Sequence, residues 1–252
     1  MINPLENKLL NVLPLESKGR IFTDLNLIHL PLGKVIYESG QDLEFVYFPA
    51  DGIISLFYIT EDGHSSQISA VGSEGVVGIT AFMGGGSTPY RAEVQSAGFF
   101  YRLSVTAMLN EFNLVKRVRI MLLSYTQSFI AQMAQTAACN RHHSIDQQLC
   151  RLLLLSMDRM ENNDLTMTQE SIANMLGVRR EGVTEAAGKL QKQNVITYSR
   201  GKITVTDRKK LEKLSCECYD VVKNETDRLD ASLPKLNLPR NNAPCYPKEM
   251  PI

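Results

Sequence analysis

Hydrophobic and polar positions change period several times along this chain of 252 residues. Residues 3–25 carry two short helical sets, Leu5, Leu9, Leu10, Val12 and Leu13, then Ile21, Phe22 and Leu25, with Pro14 between them. Over residues 28–103 the pattern becomes short alternating runs, at 34–37, 45–48, 53–59, 65–71 and 93–103, separated by Ser39-Gly40, Asp51-Gly52 and Asp62-Gly63. Turns at that spacing predict an antiparallel β-roll of the jelly-roll kind. Residues 105–138 then hold Met108, Phe112, Val115, Val118, Leu122, Tyr125, Phe129, Met133 and Thr136 at intervals of three and four, without Gly or Pro. That stripe predicts one long helix with a buried face.

Cys139-Asn-Arg-His142-His143-Ser144 reads as a hinge, after which Leu149, Leu152, Leu153 and Met157 give residues 145–160 a helical stripe. Residues 165–176 open a further helix, with Thr168 as its N-cap, Ile172, Met175 and Leu176 buried, and Gly177 as its stop. A second helix follows at once, burying Val183, Ala186, Ala187 and Leu190 and presenting Arg179, Arg180, Glu181, Thr184, Glu185 and Lys189. Two alternating runs around Ser199-Arg200-Gly201, the second starting at Lys202, predict a hairpin. Helix, tight turn, polar-faced helix and hairpin make a winged helix-turn-helix, whose second helix enters a major groove. Residues 208–229 read as a last amphipathic helix, and the prolines and asparagines of 231–252 as a disordered tail. The fold class is therefore α+β, with a β-roll sensor domain over 1–104, a long helix over 105–138, a winged helix-turn-helix over 139–230 and the tail.

Charge sharpens this division. The whole chain is formally neutral, yet ten Lys and Arg stand against four carboxylates from Arg179 to Lys213, an excess of six. Residues 1–104 carry a deficit of five, so attraction for phosphate is local to the second half. Double-stranded DNA is the expected partner, and Arg200 and Lys202 on the hairpin, with Thr168 at the first helix, are expected to touch its backbone.

The residues Leu165-Thr-Met-Thr-Gln-Glu-Ser-Ile-Ala-Asn-Met-Leu-Gly177, Arg180-Glu181 with Val183 and Leu190, and Gly201-Lys-Ile-Thr-Val205 resemble the Crp/Fnr family of bacterial transcription regulators. The resemblance implies that Arg180 and Glu181 read a G and a C, a guanidinium donating to guanine and a carboxylate accepting from the cytosine amino group. Cyclic-AMP-responsive members have a second base-reading Arg where this chain has Glu185, so the half-site is expected to differ. The resemblance also implies a homodimer, with the long helix paired to its copy through Leu122, Tyr125 and Phe129, and RNA polymerase as a further partner. It extends more weakly into Leu32-Gly33-Lys34-Val-Ile-Tyr-Glu-Ser-Gly40 and residues 75–92, which are similar to a cyclic-nucleotide-binding β-roll. Nucleotide-binding members follow the second glycine with a Glu for the ribose hydroxyl, and pair the phosphate with an Arg beside a Ser or Thr. Here Gly78 is followed by Ile79, and Arg91 by Ala92. An unpaired buried hydroxyl costs about 1–3 kcal/mol, so cyclic nucleotide is not expected and no cofactor is identified. The competing readings are a cyclic-nucleotide-responsive regulator and a scaffold whose winged helix does not read bases.

Gly84-Gly85-Gly86-Ser87 lacks the Lys-Ser/Thr of a phosphate loop, and no nucleophile and base stand at a catalytic spacing, so no enzyme is expected. Five cysteines form no regular framework and no apolar run reaches the roughly 20 residues of a membrane span, which points to a reducing, cytoplasmic setting. No metal site is expected. Neighbouring His142 and His143 point to different faces of a helix, and on a continuous helix Cys216 and Cys218 would lie about 200° apart.

Overall fold

Strand alternation in the first half buries one side of each strand, and two antiparallel sheets close over those residues. The computed structural model describes residues 2–85, 87–160 and 164–232. A 3₁₀ turn (Pro4–Glu6), α1 (Lys8–Asn11) and α2 (Leu15–Asp24) come first, followed by β1 (Asn26–Leu30), β2 (Val35–Tyr37), β3 (Phe45–Pro49), β4 (Ile53–Ile59), β5 (Ser65–Val71), β6 (Arg91–Ser96) and β7 (Gly98–Ser104). The sheets run in the orders β1-β7-β3 and β2-β6-β4-β5. Val46, Phe48, Leu56, Ala92, Val94, Phe100 and Leu103 fill the space between them, joined by Leu9, Leu10 and Ile21 from the opening helices. A Cβ at position 52 would enter the ring of Phe100, which is why the turn before β4 ends in Gly52.

The long helix of the second pattern is two helices, α3 (Val105–Leu114) and α4 (Lys116–His142), with Val115 extended between them. No Gly or Pro marks this break. The single extended residue lets Met108 on one helix and Val118 and Leu122 on the next all pack into the roll, while Glu111 turns to Arg20 of α2. α4 also runs four residues past the expected end, so the hinge narrows to His143 and Ser144, where Ser144 and Gln147 form a capping box for α5 (Ile145–Met157).

The second domain continues through β8 (Asp164–Thr166), α6 (Gln169–Leu176), α7 (Arg180–Lys192), β9 (Ile196–Ser199), β10 (Lys202–Val205), α8 (Arg208–Leu214) and α9 (Cys218–Ser232). Leu165 and Thr166 do not open a helix, as their sequence suggested. They add a third strand to the hairpin in the order β8-β10-β9, burying Leu165 in the domain core. The last helix is also divided, since Ser215, Cys216 and Glu217 interrupt it. α9 then runs back along α4 and places Leu229 in the core of the roll. Ala231 and Ser232 belong to this helix, and the rest of the expected tail, 233–252, lies outside the described residues.

Between the domains the contacts are both apolar and polar, with Leu229 of α9 in the core of the roll and Phe57 of β4 in that of the second domain. Ser55 donates to Gln95 at 2.6 Å, Gln67 donates to both, and the Gln95 amide donates to Ser156 of α5 at 3.0 Å. Ser69 likewise donates to Gln132 of α4. Beside this network Arg159 Nε meets Glu74 Oε1 at 2.8 Å, with side chains only 8% and 14% exposed.

Candidate nucleic-acid interface

Gly177, at φ 65°, ends α6 in the left-handed conformation, and three residues later α7 begins. Thr168 caps α6 as expected, accepting from Ser171 N–H at 3.0 Å, and its hydroxyl hydrogen stays available to an outside acceptor. The two helices are tied by Thr184, whose hydroxyl lies 2.8 Å from Gln169 Oε1 and 3.0 Å from Arg180 O. Gln169 is a positioning residue that sequence reasoning missed. A Cβ at Gly182 would meet only the tip of the Ile145 side chain on α5, at 2.8 Å, and nothing lies near Gly188.

Val183, Ala186, Ala187 and Leu190 are buried, and Arg179, Arg180, Glu181, Thr184, Glu185 and Lys189 share the exposed face of α7. Glu181 is in the first turn, where it also complements the helix dipole. Among the described residues Arg179, Arg180, Arg200 and Lys202 form no ion pair. Lys189 does, reaching Asp146 and Glu185, each at 3.0 Å, and Arg208 is held by Asp158 at 2.6 Å and Glu212 at 2.9 Å. The positive field is thus smaller than the residue count implied and is concentrated at the start of α7 and on the wing. The hairpin turn holds Arg200 at φ 50° and Gly201 at φ 77°, a two-residue turn with the Arg in the left-handed region at its tip. Tyr198 anchors this wing by donating to Met167 O at 2.9 Å. Burial raises the Tyr198 phenol, and the Arg180 guanidinium opposes that shift, which places the start of α7 beside the wing.

The four residues expected to frame an effector pocket do not surround one cavity. Ile79 and Ala92 are buried in the roll, and Gly78, at φ 103°, turns the chain beside Val46. Arg91 precedes Ala92 on a strand and so points to the opposite face of the sheet. There it meets Glu93 at 3.1 Å and Glu38 at 3.8 Å and lines a cleft of about 260 Å³ against Ser171, Asn174 and Met175 of α6. The interior instead holds Tyr37, Tyr90 and Tyr125, all at most 5% exposed. Burial raises all three phenols, so they are neutral at physiological pH.

The expected dimer seam also needs correction. Leu122, Tyr125 and Phe129 are 0%, 4% and 3% exposed, because they pack into their own roll. Tyr125 lies against Gly75, where a Cβ would strike its ring. The other face of α4 presents Leu123, Gln127, Ile130, Ala134 and Ala137, alternately four and three residues apart. That is the spacing a coiled-coil seam uses, and all five positions are exposed.

Two family models match the chain: a Crp-like helix-turn-helix domain over residues 147–214 and a cyclic nucleotide-binding domain over 27–113. Its fold is similar to a protein described as a Crp/Fnr-family transcriptional regulator from Eubacterium rectale, at 20% identity and TM-score 0.66, covering 83% of this chain and 98% of that one. It is also similar to FixK2 from Bradyrhizobium japonicum, at 18% identity and TM-score 0.64 over 76% and 98% of the two chains. A third similar structure is the c-di-GMP responsive global regulator CLP of Xanthomonas campestris, at 13% identity and TM-score 0.60 over 76% and 99%. No curated protein sequence matches the chain. No helix among the described residues is long and apolar enough to cross a membrane.

Proposed function

We infer, for a chain that belongs to the Crp/Fnr family of transcription regulators, that it works as a homodimer reading a two-fold DNA site, with α7 in the major groove and the β9-β10 wing on the backbone. The carrying observation is one exposed surface on which Arg179 and Arg180 at the start of a groove-sized helix, and Arg200 and Lys202 at the wing, form no ion pair among the described residues. Arg180 specifies by donating to a guanine, and Glu181 accepts from a cytosine amino group. Arg200, Lys202 and Thr168 hold phosphates. Glu185, held by Lys189, has no proton to donate to guanine O6 or N7 and can accept from a cytosine or adenine amino group, so the next position of the half-site is not a guanine. The exposed stripe of α4 supports pairing with a second copy, which would set two recognition helices about one DNA turn apart. RNA polymerase is the partner such a regulator would act on.

Arg180→Ala is expected to cost about 1–3 kcal/mol and to relax one position of each half-site, while Arg200→Ala weakens all sequences alike and lowers the salt slope by about one per subunit. Binding measured against a randomised site over a salt series checks both. Equal losses on all sequences for Arg180→Ala would mean that α7 holds without reading, the behaviour of a scaffold.

The ligand of the roll is not a cyclic nucleotide on this reading, because three neutral tyrosines occupy its interior and Arg91 is engaged with carboxylates on the other face. Calorimetry with cyclic AMP and cyclic GMP is expected to show no binding at micromolar protein. A micromolar or tighter constant for either would overturn this and require the tyrosines to move aside.

A further inference from the structure

The break between α8 and α9 turns two thiols toward the end of α4. Cys139, His143, Cys216 and Cys218 each offer one ligand atom, and those atoms all lie within 4.8 Å of one another. Cys139 Sγ is 3.6 Å from Cys216 Sγ, and Cys218 Sγ is 3.4 Å from His143 Nδ1. Zn–S bonds of about 2.3 Å and Zn–N bonds of about 2.0–2.1 Å at tetrahedral angles separate ligand atoms by roughly 3.5–3.8 Å. The spacing is too long for a disulfide, whose sulfurs are about 2.05 Å apart. It is too short for an iron–sulfur cluster, which inserts several irons and sulfides between its thiolates.

The surroundings are those of a ligand set. His143 Nε2 lies 3.2 Å from Glu217 Oε1, so the ring nitrogen facing away from the thiols has a carboxylate partner that fixes the tautomer leaving Nδ1 free. Gln135 Nε2 is placed to donate to Cys218 Sγ at 3.0 Å, a contact suited to a thiolate. Arg151 is 8% exposed and pairs with no carboxylate among the described residues, yet it acts electrostatically on Cys139. Three thiolates and one neutral imidazole around a divalent ion carry a net charge of −1, which gives this buried guanidinium its counter-ion.

We propose that Cys139, His143, Cys216 and Cys218 bind one zinc ion per chain, and that the ion pins the first turn of α9 to the hinge between the sensing and DNA-binding domains. Binding releases three thiol protons to solvent and changes no oxidation state. The four-ligand set leaves no open position, so the site is structural rather than catalytic. His143 is the residue at which α4 hands over to α5, and α9 returns from the ion to the roll, so metal occupancy fixes the angle between the domains. This inference is independent of how α7 reads bases.

The test uses the full chain without a histidine tag, reduced and metal-stripped, then titrated with zinc against a chromogenic chelator and, separately, with cobalt(II). One equivalent of zinc is expected, and cobalt should give the intense visible bands of a tetrahedral sulfur-rich site. His143→Cys should retain the metal with a red-shifted cobalt spectrum. Cys216→Ser should lose it, and Glu217→Ala should weaken it about 10- to 100-fold. Cys150→Ser, which is not one of the four ligands, should bind normally and serves as the control for removal of a neighbouring buried thiol. The proposal is overturned if the stripped wild type takes up no zinc, if Cys150→Ser and Cys216→Ser give the same spectrum, or if mild oxidation couples Cys139 to Cys216 in a chain that never binds zinc.

Discussion

Leu122→Asp is expected to unfold the β-roll, and Ile130→Asp to separate the proposed dimer while leaving each subunit folded. The two residues lie two turns apart on α4, but Leu122 is 0% and Ile130 52% exposed. Removing a buried leucine costs about 2–5 kcal/mol before any charge is placed in the space. A carboxylate there adds a desolvation penalty of several kcal/mol, which together exceed the stability of many domains. Ile130→Asp loses little within the subunit and instead sets like charges opposite each other across a coiled-coil seam. Sedimentation velocity with far-UV circular dichroism separates the two outcomes. A folded, monomeric Leu122→Asp would return the seam to the face that carries Tyr125 and Phe129.

Glu74→Ala should loosen the domains from each other. It leaves the Arg159 guanidinium nearly buried without its carboxylate, and breaking such a pair costs about 3–5 kcal/mol. It also removes both acceptors of the Gly72 N–H, each at 3.2 Å. The turn has no slack to compensate, since a Cβ at Gly72 would come within 2.9 Å of Arg159. Thermal unfolding is expected to shift down by several degrees, with the winged domain gaining earlier hydrogen exchange than the roll. A melting temperature within about 1 °C of wild type would show the bridge to be worth no more than a surface pair.

The DNA-facing half could be read from sequence because its signals are local. Gly177 needs a left-handed backbone, Thr168 caps within three residues, and Arg200-Gly201 makes its turn alone. The roll was legible as a class for the same reason, from turn glycines at short intervals. What stayed hidden depends on partners distant in the chain. A stripe of period 3.6 says that one face of α4 is covered but not whether by the roll or by a second copy. Val115 and Ser215–Glu217 break helices without Gly or Pro, so Cys216 and Cys218 were placed on one continuous helix, whereas Cys216 lies in the break and Cys218 opens α9. Arg91 and Ala92 are adjacent in sequence and therefore on opposite faces once the strand is formed, which separates residues that motif reading had joined.

The serine and glutamine contacts between the roll and α4–α5 bear on how the protein behaves with temperature. Exposing polar surface lowers heat capacity by about 0.26 cal/K/mol per Å², and exposing apolar surface raises it by about 0.45. Parting Gln95 from Ser156 and Ser69 from Gln132 exchanges two hydrogen bonds for water, but it also draws Leu229 of α9 out of the roll and Phe57 of β4 out of the second domain, which wets hydrocarbon. The balance between joined and parted domains therefore carries a positive heat-capacity change and curves with temperature, as the apolar cores on either side do. Domains joined in this way loosen toward both ends of the temperature range rather than at the hot end alone.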